Sequence, residues 1–328
     1  MKLIAWISAL LLVAGAAQAA APKVPKVPTQ SLHEYADQCT DMIGQIPAFD
    51  CTDGTVVPIT VNGKEPAYSE YKPGMTCDRP ALLRYGAQSF GQCTPYSRIL
   101  NFSRDKVQIS AFCRREQLRD PKSPYFDEVD IVAHNAATGK TCWFHAEGKT
   151  GQKTGFNASR VPPPNERTPP PKRVSAKEFW WTPGRTAQKS CGACHDADPF
   201  MYSPWLGQVW HKVPTDPLGP YSNVGKDFAK WHSNSISTRD NTCVGCHRIG
   251  DQASCSQFVP MATGQTAPKD GNALARSYPL SHWMPVNNAQ TQAFWNKANQ
   301  ESLQKIMTCC DDPKNPICTI KPIVKSSK

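Results

Sequence analysis

Cys191-Gly-Ala-Cys194-His195 and Cys243-Val-Gly-Cys246-His247 are two copies of C-x-x-C-H in a chain of 328 residues. This is the spacing of a c-type haem attachment site. Two thiols one helical turn apart each add to a vinyl group of one porphyrin, and the histidine that follows supplies the proximal iron ligand. With 14 Cys and 8 His in the chain, two accidental matches are a poor explanation. Two other chemistries use related spacing. A zinc site takes Cys191, Cys194, Cys243 and Cys246 as a pair of C-x-x-C units, but it leaves both trailing histidines without a role. A redox-active C-x-x-C does not ask for the histidine either. The expected cofactors are two covalently bound haem c groups, one on Cys191, Cys194 and His195, the other on Cys243, Cys246 and His247.

The start of the chain agrees with export. Met1-Lys2 is a short basic head, Leu3 to Ala16 is apolar, and Ala17-Gln18-Ala19 is a small-x-small cleavage pattern, so residues 1–19 read as a signal peptide. The apolar run is short for a membrane span, and no later segment resembles a transmembrane segment. The first cysteine is Cys39, away from the cleavage point, which argues against a lipid anchor. Haem attachment through C-x-x-C-H also takes place outside the bacterial cytoplasm. The expected location is periplasmic or secreted.

Removing the four haem thiols leaves Cys39, Cys51, Cys77, Cys93, Cys113, Cys142, Cys255, Cys309, Cys310 and Cys318. An even number in an exported chain predicts disulfides, each region closing its own set. Connectivity stays open. Separate partners such as Cys255 and Cys318 suit the adjacent Cys309 and Cys310 better than a strained bond between neighbours. Cys113 and Cys142 are candidates to bridge across a sheet if their strands are adjacent.

Composition divides the chain at residues 161–173, where two triple-proline runs predict an extended linker. Before it, residues 20–160 read as a cysteine-rich, mainly β domain. Its strand candidates are Thr55 to Asn62, Lys106 to Phe112 and Val129 to His134, the last entering a hairpin through Asn135-Ala-Ala-Thr-Gly139. A short helix is expected over 37–46. His33, His134 and His145 have no metal spacing and read as structural. After the linker, residues 174–328 read as a di-haem cytochrome c domain of loops and short helices, one through each motif and a longer one over 289–307. Seven of the nine tryptophans lie here, suited to covering porphyrin faces. The expected fold class is mixed and low in regular structure: a disulfide-linked β-rich N-terminal domain plus a loop- and short-helix-rich di-haem domain.

Only 51 residues separate His195 from His247, too few for two tandem monohaem domains, so one domain is expected to hold both haems. The chain resembles the broad class of c-type cytochromes through its two motifs. Asp196-Ala-Asp-Pro-Phe200 and Ser281-His-Trp-Met-Pro285 are similar to segments of uncharacterised exported bacterial cytochrome-like proteins with cysteine-rich N-terminal regions. That resemblance implies a di-haem, exported protein and supplies no substrate. The motif spacing departs from bacterial di-haem peroxidases, and a close match to thiosulfate dehydrogenases is lacking.

The expected function is electron transfer between redox partners. The alternative is a haem enzyme with one open iron acting on peroxide, a nitrogen oxide or a sulfur compound. Asp196 and Asp198 follow His195 closely, where a helix-side hydrogen bond or a solvated charge is favoured over proton transfer. For the sixth ligands, Met284 with His282 as its rival is expected at one iron, and His232 ahead of His211 at the other; Met201, Met261 and Met307 are further sulfur donors. The charge balance, 37 Lys and Arg against 27 Asp and Glu, suits redox partners with acidic docking surfaces. No basic cluster points to nucleic acid. The mature chain should begin within a few residues of Ala20, and N-terminal sequencing of exported protein checks this.

Overall fold

Asn135-Ala-Ala-Thr-Gly139 turns the chain because the Asn135 side-chain oxygen accepts from the Ala137 and Thr138 amides, while its carbonyl accepts from Gly139. The strands it joins lie within a six-stranded sheet. The computed structural model describes residues 29–61, 63–72, 77, 93–148, 155–201, 205–212, 218–246, 248–263 and 292–323. In chain order its elements are α1 (Leu32–Met42), β1 (Thr55–Val56), β2 (Arg98–Asn101), β3 (Val107–Arg114), β4 (Tyr125–Phe126), β5 (Glu128–Asn135), β6 (Lys140–Glu147), β7 (Phe156–Asn157), α2 (Ala176–Phe179), α3 (Pro183–Thr186), α4 (Cys191–Cys194), β8 (Ser222–Asn223), β9 (Asn234–Thr238), β10 (Ile249–Gly250), α5 (Val259–Ala262), α6 (Gln292–Asp311) and β11 (Cys318–Pro322). The result is mixed and sheet-rich, with few helices.

The main sheet has the order β1-β2-β3-β5-β6-β8. Its strands run antiparallel except where β8 joins β6 in parallel. Side chains alternate across a strand, so one face carries Ile109, Ala111 and Cys113, Val129, Ile131 and Ala133, and Cys142, Phe144 and Ala146. This face is buried in a common core with Leu32, Tyr35, Ala36 and Cys39 of α1. Cys51, Trp180, Tyr221 and Phe228 belong to the same core, so packing crosses the proline-rich stretch. That stretch is tied down along α1. The Val161 amide donates to the Phe49 carbonyl at 2.7 Å, Arg167 pairs with Asp37, and Asn165 bonds Gln45.

A second, smaller core holds the C-terminal part. The strands β10-β9-β11 form a three-stranded sheet. Ile236 and Ile249 from it pack with Ile306 and Cys309 of α6 and with Cys255. Among the described residues no helix is long and apolar enough to cross a membrane.

Several local expectations shift. The first helix starts at Leu32 because Ser31 and Glu34 form a reciprocal capping box there, and it ends at Met42. The run 55–62 yields only Thr55–Val56, since Pro58 has no N–H to continue a ladder. The long helix appears as Gln292–Asp311; residues 289–291 and the expected signal peptide, 1–19, lie outside the described residues.

The ten remaining cysteines form five disulfides: Cys39–Cys142, Cys51–Cys113, Cys77–Cys93, Cys255–Cys310 and Cys309–Cys318. Each region closes its own set, and Cys309 and Cys310 take separate partners, as expected. The suggested bridge between Cys113 and Cys142 does not form. β5 lies between their strands, and next-nearest strands are roughly 10 Å apart, beyond disulfide reach. Oxidised, haem-free protein should therefore show four titratable thiols in denaturant. Replacing Cys39 and Cys142 together by Ala opens a span of 103 residues and should lower stability by about 2–5 kcal/mol in a urea titration.

Candidate haem-attachment centre

Ser190, in the left-handed backbone region, turns the chain into α4, a single helical turn from Cys191 to Cys194 closed by the His195 amide donating to the Cys191 carbonyl. Both thiols are unpaired, Cys191 half-buried and Cys194 exposed. His195 is oriented from both ends. Its Nδ1 lies 2.9 Å from the Pro199 carbonyl, which only accepts, so Nδ1 carries the proton and Nε2 keeps its lone pair. That is the tautomer an imidazole ligand needs, fixed by a backbone partner as metal-bound histidines usually are. The His195 carbonyl in turn accepts from the buried Tyr221 hydroxyl at 2.8 Å. Burial pushes the imidazole down to about 4, so it is neutral near pH 7.

The main sheet forms the floor of this motif. The Trp143 ring meets His195 edge-on at 4.9 Å and Trp231 at 5.7 Å. Gly192, inside the C-x-x-C, lies flat on Trp231; a Cβ there would come within 2.8 Å of the indole. The motif can sit so close only with glycine at that position. Downstream, Phe200 approaches His134 and Trp205 approaches Phe112, so the chain after the motif runs over the same sheet face.

The second motif is built differently. The expected helix through it is replaced by a turn over residues 244–246, with the Cys246 amide donating to the Cys243 carbonyl at 3.3 Å. Asn241 caps this turn: its side-chain oxygen accepts from the Cys243 amide at 3.0 Å and from the Val244 amide at 3.4 Å. Asn241 and Thr242 are anchored in turn to Ser302 of α6. Cys243 and Val244 pack on the C-terminal core, and Cys246 is exposed. His247 lies outside the described residues.

A clamp joins the two motifs. Asp196, fully buried, accepts from the Gln252 amide at 2.7 Å, the Ser254 amide at 3.2 Å and the Ser254 hydroxyl at 2.6 Å. It also fills the space a Gly250 side chain would take. Arg248 reaches the other way. Its guanidinium donates to the Ala197 and Gly219 carbonyls, each at 2.6 Å, and pairs with Asp198. The two carboxylates after His195 thus hold the chain on both sides of β10, starting one residue beyond the second motif.

The other donors fall as follows. His232 and His211 are exposed, and the His232 carbonyl accepts from Gln252 Nε2. Met201 and Met307 are half-buried, Met307 beside Trp295 and Leu303. Met284 and His282 lie outside the described residues. Trp143, Arg248 and Pro199 were not singled out from the sequence, because their roles rest on contacts across roughly 50 residues or on backbone atoms.

The competing chemistries fare less well. Burial raises the Cys191 thiol to about 12, with Asp130 and Glu128 adding to it, and burial raises Cys194 and Cys243 as well. A redox-active thiol needs the opposite shift. A zinc site built from Cys191, Cys194, Cys243 and Cys246 needs the four sulfurs to converge on one point. Among the described residues the only convergent group of potential ligands is Glu128, Asp130 and His145. Compared with known proteins, the chain matches no family model, no curated protein and no solved structure.

Asp196→Ala should leave the Gln252 and Ser254 donors without a partner, at about 1–3 kcal/mol for each buried group. Urea unfolding of the variant should show a loss of that order, and Asn at this position should recover part of it.

Proposed function

We propose that this protein is an exported di-haem c-type cytochrome that carries electrons between redox protein partners. One observation carries the reading. Every cysteine outside the two C-x-x-C-H motifs is paired, and the four thiols left free are the four that covalent haem attachment requires. The haems would supply one-electron chemistry at their irons. The chain's own part is to hold His195 as a neutral, oriented ligand and to keep the two motifs at a fixed separation.

The domain assignment proposed with this reading is a di-haem unit over 174–328, resting on the N-terminal sheet. Five disulfides fit an oxidising compartment, periplasmic or extracellular. Asp196 and Asp198 are both engaged in the clamp, which supports a carrier over an enzyme that would use them for proton transfer. Met284 or His282 at one iron and His232 or His211 at the other are the proposed sixth ligands. The surplus of basic residues supports partners with acidic docking surfaces.

Protein matured with the c-type attachment machinery should retain two haems through acid-acetone extraction, and Cys191→Ala/Cys194→Ala should retain one. Reduced protein should not bind carbon monoxide stoichiometrically at neutral pH. Stoichiometric zinc without haem overturns the reading, and full carbon monoxide binding turns it toward the enzyme.

A further inference from the structure

The sheet face beneath the first motif carries a charged cluster that the proposed function does not use. Strand register assembles it: Arg114 lies opposite Glu128, Glu128 opposite Glu147, and Asp130 opposite His145. His145, with its side chain 2 % exposed, sets Nδ1 2.7 Å from Asp130 and 3.6 Å from Glu128, and Nε2 3.3 Å from Glu147. Arg114 pairs with Glu128 at 3.3 Å, and Lys189 pairs with Glu147. Trp181 meets the imidazole edge-on at 4.4 Å, the Arg185 guanidinium lies 3.4 Å over the Trp181 ring, and Glu116 stands near Glu147.

A metal does not suit this group, because Arg114 and Lys189 already occupy the positive positions. A proton does. With His145 protonated, three carboxylates face three cations and the cluster is neutral. One proton more or fewer leaves a net charge in a mostly buried place. Burial lifts the Glu128 carboxyl to about 7, and the surrounding carboxylates raise His145 against the opposing effect of its burial. Asp130 and Glu147 are about one quarter exposed, which gives a proton a way in from solvent.

The cluster adjoins the redox site closely. Lys189 stands two residues before Cys191, and the field of Asp130 and Glu128 is felt at the Cys191 sulfur. His145 lies two positions along β6 from Trp143, roughly 7 Å by strand geometry, and Trp143 touches His195.

We propose that Arg114, Glu128, Asp130, His145, Glu147 and Lys189 form a proton-binding site linked to the redox state of the haem at Cys191–His195. The proposal rests on the haem reading above. An electron from the redox partner lowers the charge at the iron, and one proton from solvent binds at Glu128 or His145 to offset it. Oxidation returns both. The sign follows: reduced protein holds the proton more tightly, so the midpoint potential falls as pH rises through neutrality.

The test is a spectroelectrochemical titration of the full di-haem protein between about pH 5 and 9, a range spanning these groups. One midpoint should fall across the range by about 59 mV or more, equivalent to a tenfold or larger change in proton affinity per electron. That midpoint should be the one missing from Cys191→Ala/Cys194→Ala. Glu128→Gln and His145→Gln should each flatten it while keeping two haems. Should His145→Gln not fold, Glu128→Gln and direct proton uptake on reduction of the wild type, read with a pH indicator, decide the matter. Midpoints independent of pH, or an unchanged slope in Glu128→Gln with two haems, overturn the proposal. Absence of haem at Cys191 and Cys194 instead removes the reading beneath it, and the haem count tells the two failures apart.

Discussion

Two carboxylates and one guanidinium decide how this molecule is put together. Asp196 and Asp198 follow closely on His195, and they hold Gln252, Ser254 and Arg248 from 50 to 58 residues further along the chain. Each group is mostly removed from water, so each is costly to leave without its partner. That cost makes the junction specific. The first motif belongs to the core under the main sheet and the second to the core under α6.

The main sheet has two faces with different chemistry. One is apolar and buries α1, which is what stabilises the strands. The other is half polar and half aromatic, with Trp143 supporting His195 and the ion cluster around His145 lying farther along the same strands. A sheet is a good support for a site that must hold its geometry. Its strands are fixed by ladder hydrogen bonds on both sides, and its side chains alternate at fixed spacing. The first motif rests on Trp143 of β6, a strand paired along most of its length with β5 and at Lys140 and Thr141 with β8.

Four of the five disulfides serve the same two cores, and Cys77–Cys93 belongs to a separate cluster with Val57, Ile99 and Trp205. Cys39–Cys142 and Cys51–Cys113 tie α1 and the first loop to the sheet, while Cys255–Cys310 and Cys309–Cys318 tie both sides of α6 to what surrounds it. Consecutive residues on a helix point in directions about 100° apart, so Cys309 and Cys310 can serve opposite neighbours. The arrangement compensates for short secondary elements, many of which are only two to four residues long.

Local chemistry was legible in the sequence. The two C-x-x-C-H motifs, the hairpin at Asn135–Gly139 and the long C-terminal helix each depend on residues within about one to five turns of chain, and spacing alone reveals them. So was the division of the cysteines into an N-terminal and a C-terminal set. Disulfide partners were not, because Cys113 and Cys142 are separated by a strand that only the sheet order places between them. The His145 cluster was equally hidden: Asp130 and Glu128 reach it through cross-strand register, and His145 read alone is an ordinary buried histidine. Arg248 is one of many basic residues until folding brings Ala197, Asp198 and Gly219 within its reach. Short-range patterns determine which chemistry a segment can do. Register, sheet order and long-range pairing of buried charge decide which segments do it together, since those terms depend on contacts between residues far apart in the chain.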